Sequence, residues 1–449
     1  MILSPVDRSR PDRLADALAL LYQDESGVLG DMERLIATDT SFPPGAGYGV
    51  IADLVEELTA ALGFVSQRVS VPKDLWDPGD GTAHGERINV HACRRKGKPV
   101  CSMYFHVDAV PPGDGWTRPA FALTREDGML YGRGTADMKG TIASAFAALR
   151  AGDAAGLPLA FDPVLLFCTD EEGGLYPGIR YLAEQGLVEG HILSFNGGAA
   201  PRVWAGCFGS LDLSIEVEGR AAHSGDPGDG VNAIEAALPL LNGLQALKAV
   251  VETRASALPP PPPWKGRPLT ARLNVTAAHG GAKGSSLPGR FTVLVNRRYA
   301  PEEHFENVLS ELERTVATSL KDSGALGWRT RIVGHLAPVA DPTGPHWPRW
   351  QAALSEGFGW PLASFRAWGA SSSSDMGWVQ AAGHREILLG GLTRPGCGSH
   401  GPDEHTTLED VMALARSILL YLSEDFLSDD LIAARSLSAA TANQGNRHA

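Results

Sequence analysis

The chain has 449 residues, 43% hydrophobic and 20% charged, which is enough apolar side chain for more than one packed core and excludes disorder as a whole. Its 52 acidic residues outnumber 39 basic ones, and the formal net charge of −13 argues against a nucleic-acid partner, because polyphosphate affinity rests on clustered Lys and Arg. No apolar stretch is read as approaching the roughly 18 residues of a membrane span, the opening MILSPVDRSRPDRL lacks signal-peptide order, and five scattered cysteines without C-x-x-C spacing suit buried free thiols; a cytoplasmic protein with no membrane partner is expected.

Along the chain, a helical pattern from Val50 to Leu62 ends at Gly63 before a β-branched stretch. Pro99 to His106 is a short, mostly apolar run of the kind a buried parallel strand shows. The Gly-rich turn Tyr131-Gly-Arg-Gly134 leads into an Ala-rich helix from about Met138 to Leu149. A strand at Pro163 to Cys168, a helix near Gly178 to Gln185 and a strand at His191 to Phe195 follow, so βαβ units and a mainly parallel sheet flanked by helices are predicted. From about Ser210 the texture changes to an alternating strand at Leu211 to Val217, a helix from Asn232 to Leu247, and strands near Arg272 to Val275 and Phe291 to Val295. That pattern predicts an inserted α+β domain over 210–329 between two parts of a catalytic α/β domain, 1–209 and 330–449. Within it, Pro259 to Pro263 reads as an extended surface loop, since proline lacks the donor for a ladder or helix interior. The last helix runs Leu408 to Leu422, and the tail from about 428 is poor in large apolar residues and expected to be flexible.

Four segments place metal-type ligands or acids just after predicted strands or in turns, where sites assemble in open α/β sheets. In Phe105-His106-Val107-Asp108 the period of two sends His106 and Asp108 to one side, so Asp108 can hold one imidazole nitrogen and leave the other for a metal. Asp137, in GRGTADMKG, is either a helix N-cap or a metal ligand. Glu171 and Glu172 follow a strand and point in different directions, which lets one bind a cation and the other face a water as general base. His400 sits in the Gly-rich SHGPDE loop, with His405 as a rival. Each segment alone also reads as an ordinary structural turn; their order is what is specific.

Taken together, FHVDAVPPGDGW, YGRGTADMKG, CTDEEGG and SHGPDE resemble the co-catalytic zinc hydrolases that include carboxypeptidase G, acetylornithine deacetylase, succinyl-diaminopimelate desuccinylase and aminoacylase. The resemblance extends to Ala222-His223-Ser-Gly and Asn296-Arg-Arg298-Tyr-Ala-Pro301 in the insertion, which are similar to lid motifs of that family. It implies that Asp137 bridges two metals, that His106 serves one and Glu172 with His400 the other, and that Glu171 is the general base, with Asp108 beside it in the catalytic set. It also implies a lid that doubles as a dimer interface, with His223 reaching the partner's active site to hold the oxyanion. Ligands of His and carboxylate without thiolate suit Zn, Mn or Co, one or two per chain.

The sequence departs from that pattern at the position of one more acidic ligand, where Asn196 stands. An amide oxygen is a neutral, weaker ligand, so one metal is expected to bind poorly or be absent. In the lid, Asn296 replaces an Asp and Ser285 an Asn. Arg290, Arg298 and Asp375 are the expected substrate contacts, the arginines because a guanidinium fork matches a carboxylate. The reading is therefore a metal-dependent hydrolase cleaving a C–N bond of a small carboxylate-bearing substrate. One alternative is hydrolytic deamination of an amino-aromatic acid, as in a nitroanthranilate aminohydrolase of this family, at a single metal; another is a non-catalytic binding relative.

Overall fold

The computed structural model describes residues 13–79, 81–264 and 266–426; the tail expected to be flexible from about 428 lies outside the described residues. Its central sheet has six strands in the order Val65–Ser70, Ile88–Cys93, Asp162–Cys168, Val100–His106, His191–Gly198 and Ile387–Thr393. The last four run parallel to one another, and the first two join antiparallel at one edge. Asp162–Cys168 is buried at every position, as a strand covered on both faces must be. The pleat turns Phe105, Phe167 and Phe195 to one face, where their rings stack at 5.5 and 5.1 Å. On that face lie Lys139–Ala154, Leu408–Leu422, Trp347–Phe358 and the two N-terminal helices; the many Ala and Gly of Lys139–Ala154 let it be buried all round. Gly178–Glu184 and Met376–Ala381 cover the other face through Ile179, Leu182, Met376 and Val379.

The inserted unit is a four-stranded antiparallel sheet in the order Arg272–Gly280, Arg290–Tyr299, Gly209–Glu218 and Gly327–Leu336. Gly209–Glu218 alternates buried and part-exposed residues, and two helices cover its buried face. One of them, Phe305–Leu320, lays down Val308, Leu312, Val316 and Leu320 as a stripe at four-residue spacing. The sheet crosses the boundary expected at 329, because Gly327–Leu336 takes its ladder from Gly209–Glu218 and not from the catalytic sheet. The expected helix from Asn232 is two, Ala233–Ala236 and Leu238–Val251, with a proline in the first turn of the second.

Two readings are corrected here. The stretch Ala233–Val251, with 19 residues and a hydropathy of 1.3, is long and apolar enough by length and composition to cross a membrane, contrary to the sequence reading. It packs Leu240, Leu244 and Val251 into the core of the inserted unit, which accounts for its apolar side chains. The proline run is not extended throughout, because Pro262–Trp264 closes a 3-10 turn.

Candidate active site

The parallel strands end on one edge of the central sheet, and four loops leaving that edge carry the site. His106 closes Val100–His106 and is fully buried. Its Nε2 lies 3.1 Å from Asp137 Oδ1, and its Nδ1 lies 3.0 Å from the backbone carbonyl of Asp108. The carbonyl thus orients the ring, where the carboxylate was expected to; Asp108 Oδ1 stands 3.8 Å away, and Oδ2 accepts the Glu172 N–H at 2.9 Å. Asp108 thereby ties the His106 loop to the Glu171–Glu172 loop, and burial pushes its carboxyl up to about 7.

Asp137 stands between two imidazoles: its Oδ2 is 3.4 Å from His400 Nε2 and 3.1 Å from Ser399 Oγ. Glu172 Oε2 is 3.1 Å from the same His400 nitrogen. Candidate ligand atoms of Asp137, Glu172 and His400 gather within 4.8 Å of one another, as do those of His106, Glu171 and Glu172. His405, the rival to His400, turns its Nδ1 to the Asp403 carbonyl at 2.9 Å and its ring to Tyr131. Glu171 Oε1 accepts from Asn196 Nδ2 at 2.6 Å, so this amide spends a donor on the carboxylate beside it.

Partners far away in sequence hold these loops. Asp170 and His400 both adopt positive φ, +64° and +63°, which costs a non-glycine residue energy unless its surroundings impose it. For Asp170 the surroundings are Arg87 Nε at 2.6 Å and the Tyr48 hydroxyl at 2.8 Å, all buried. The Asp137 turn is held by Glu404, which pairs with Arg133 at 2.6 Å and accepts the N–H groups of Gly134, Ala136 and Asp137 at 3.0–3.1 Å. Sequence reasoning gave none of these supports a role; Asp170, Arg133 and Glu404 lie inside the CTDEEGG, YGRGTADMKG and SHGPDE segments, whereas Tyr48 and Arg87 carried no signal.

The donor set fits a divalent cation. Burial disfavours charge on both His106 and Glu171; nearby carboxylates nevertheless hold His106 above its usual value, while burial together with Asp375, Glu172 and Asp137 raises Glu171. Hydrogen bonds to Asp137 and Glu172 raise His400 to about 10. Three carboxylates and two imidazoles crowded this closely take up protons unless a cation takes their place.

A model of the peptidase family M20/M25/M40 matches residues 103–424. The chain belongs to that family. As a member it is a metal-dependent hydrolase acting on C–N bonds of the amide or peptide type, with the α/β architecture expected of it. Succinyl-diaminopimelate desuccinylase of Xanthomonas oryzae pv. oryzae (strain MAFF 311018) is 29% identical over 391 residues, covering 85% of this chain and 94% of that protein. The di-peptidase Dug1p of Saccharomyces cerevisiae superposes with a TM-score of 0.72 over 91% of this chain and 97% of its own at 16% identity. The metallo-carboxypeptidase Sso-CP2 of Sulfolobus solfataricus gives 0.69 over 88% and 98% at 17% identity; at these identities the likeness is one of fold.

In this M20 chain the loop cluster opens into a cleft of about 440 Å³ that runs from Asp137, Glu171, Glu172 and His400 to Arg202, Trp204, Arg298 and Ser372–Ser374. Arg298 lines it, with its guanidinium on Ser373 Oγ at 2.7 Å and Asn296 Oδ1 at 3.2 Å. Arg290 does not line it: two-thirds exposed, it pairs with Glu216 at 3.2 Å on the lid sheet. Asp375 is buried and absent from the cleft wall; it accepts the Tyr104 hydroxyl, and burial raises its carboxyl to about 6. His223 is exposed on the two-residue strand Ala222–His223, where its Nδ1 accepts the Gly225 N–H at 3.1 Å, and it does not reach the cleft of its own chain. Asn296 donates to Asp212 at 2.7 Å and to Ser210 at 3.1 Å, which fixes the amide that orients Arg298.

Proposed function

We propose that this chain hydrolyses the amide bond of a small N-acyl compound bearing a carboxylate, with His106, Asp137, Glu172 and His400 holding divalent metal, Zn, Mn or Co, and Glu171 as general base. The observation that carries the reading is the Asp137 carboxylate set between His106 and His400 at 3.1 and 3.4 Å, with Glu171 facing the same cleft. When bound, the metal supplies Lewis acidity and lowers the pKa of water. Glu171 then takes the proton of the attacking water and passes it to the leaving nitrogen. Asn196, donating to Oε1, orients Glu171 and leaves Oε2 free for that transfer. Arg298 binds the carboxylate with its planar fork.

His223, out of reach of its own cleft, would serve the cleft of a second copy, which makes a homodimer part of the proposal. The dimer is tested by light scattering and by complementation between His223→Ala and Glu171→Gln subunits. The five unpaired cysteines, four of them buried, support a reducing, cytoplasmic setting.

A second reading, hydrolytic deamination of an amino-aromatic acid at one metal, is favoured by Asn196 alone, because an amide bonded to Glu171 is a poor anchor for a second dication. Elemental analysis of protein purified without chelator separates the two. About two metals per chain supports amide hydrolysis at a co-catalytic pair. About one, rising on Asn196→Asp, moves the aromatic substrates forward, and turnover of N-acyl amino acids against aminobenzoates then decides.

A further inference from the structure

A second cavity, of about 750 Å³, opens beside the catalytic cleft where the inserted unit meets the catalytic domain. Only Gly334 and His335 line both, so the two are separate places that share one stretch of wall. None of the metal-type ligands, nor Glu171 or Arg298, faces it. Its walls are rings. The His335 imidazole stacks on Phe305 with centroids 3.9 Å apart, meets the Trp378 indole edge-on at 5.0 Å and lies 2.7 Å from the Tyr299 hydroxyl. On the rim Leu75 and Ile332 are 37% and 38% exposed, large apolar side chains that folding leaves in water. Exposed apolar groups bordering a ring-walled cavity between two units mark a place for a ligand with an apolar body.

Two side chains of opposite charge line this cavity and do not meet each other. Arg180, its side chain 26% exposed, lies over the rings of Trp378 and Tyr176 at 3.7 and 4.3 Å. Its Nε donates to Glu184 at 2.8 Å within its own helix, and its two outer nitrogens make no hydrogen bond or ion pair among the described residues. Glu306, exposed in the first turn of Phe305–Leu320, has no ion pair among them either. Both act on His335: burial and Arg180 lower its imidazole to about 4 and Glu306 opposes them, so the two charges stand near one ring. The other acid of the wall, Glu303, is already held by Arg254 and Arg297. A guanidinium with open N–H groups and a free carboxylate beside ring walls are complementary to a zwitterion that carries a flat ring.

We infer that this cavity binds a free aromatic amino acid, its carboxylate on Arg180, its ammonium on Glu306 and its ring among Trp378, Phe305 and Tyr176. Acylation removes the ammonium that Glu306 recognises, so the site tells a free amino acid from its amide. The inference goes beyond the hydrolase reading and requires neither metal nor turnover.

The test is calorimetric titration of the full chain, as wild type and as Arg298→Met, with L-phenylalanine and three truncated probes. These are 3-phenylpropanoate, which lacks the ammonium, phenethylamine, which lacks the carboxylate, and L-alanine, which lacks the ring. L-Phenylalanine should bind with the same affinity to both proteins, and each truncated probe about tenfold or more weakly. Arg180→Met and Glu306→Gln should each weaken L-phenylalanine by about tenfold or more, the first without weakening phenethylamine and the second without weakening 3-phenylpropanoate. Arg180→Lys should keep part of the affinity, because it keeps the charge and loses the fork. If Arg180→Met melts several degrees lower than wild type, Arg180→Lys and the exposed Glu306→Gln decide. No saturable binding of L-phenylalanine, equal affinity for any truncated probe, or undiminished affinity in Glu306→Gln would overturn the inference. Binding lost in Arg298→Met and kept in Arg180→Met would place the amino acid in the catalytic cleft and overturn it as well.

Discussion

The two ends of the cleft solve opposite electrostatic problems. At one end Asp137, Glu171 and Glu172 crowd around His106 and His400, an arrangement that calls for a cation. At the other, Arg298 lines the cavity with its guanidinium on the neutral Ser373 and Asn296, an arrangement that suits an anion. The supports of the first end are paired charges: Glu404 takes an arginine and three backbone N–H groups, and Asp170 takes Arg87 and Tyr48. Unpartnered buried atoms remain at both ends, Arg133 Nε and Asp108 Oδ1 at the first and Arg202 Nη2 at the second. What distinguishes the two ends is the sign of the charge that lines the cleft.

The largest effect expected from breaking the cation end is on turnover. Glu171→Gln should lower the rate by about 10²–10⁴-fold with metal content unchanged by elemental analysis, since it removes the base and keeps the shape. Next comes stability: Glu404→Ala leaves Arg133 buried and unpaired and should cost about 3–5 kcal/mol in denaturant unfolding, with metal affinity falling as the Asp137 turn loosens. The anion end should behave differently, since Arg298→Met removes a guanidinium bonded only to Ser373 and Asn296 and should lower the melting temperature less than Glu404→Ala while weakening substrate binding. An equal loss of stability from both variants would erase the contrast.

The smallest effect lies away from the cleft. His191 packs on His346 with ring centroids 4.0 Å apart, and burial lowers its imidazole from 6.5 to about 3. Protonation therefore favours the unfolded chain: this contribution is complete above pH 6.5 and is lost as the pH falls from there toward 3. His191→Phe should flatten the fall of melting temperature across that window, with activity at neutral pH unchanged.

The sequence by itself determined the parallel core and set the candidate metal-type residues into recognisable segments. The fully buried run Asp162–Cys168 has no other stable setting than a strand covered on both faces, and His106, Asp137, Glu171, Glu172 and His400 follow motifs whose order is specific. The lid sheet was legible in the alternation of Leu211 to Val217, but not its last strand, because Gly327–Leu336 is mostly part-exposed and shows little of the alternation that betrays a half-buried strand. Only the tertiary structure decided which charges are paired. Arg87 with Asp170 and Arg133 with Glu404 are separated by 83 and 271 residues, and of two arginines expected from the sequence to meet substrate, Arg290 ends beside Glu216 on the protein surface and Arg298 in the wall of the cleft. Burial and partner sets belong to the packed chain, because they depend on segments that only folding brings together.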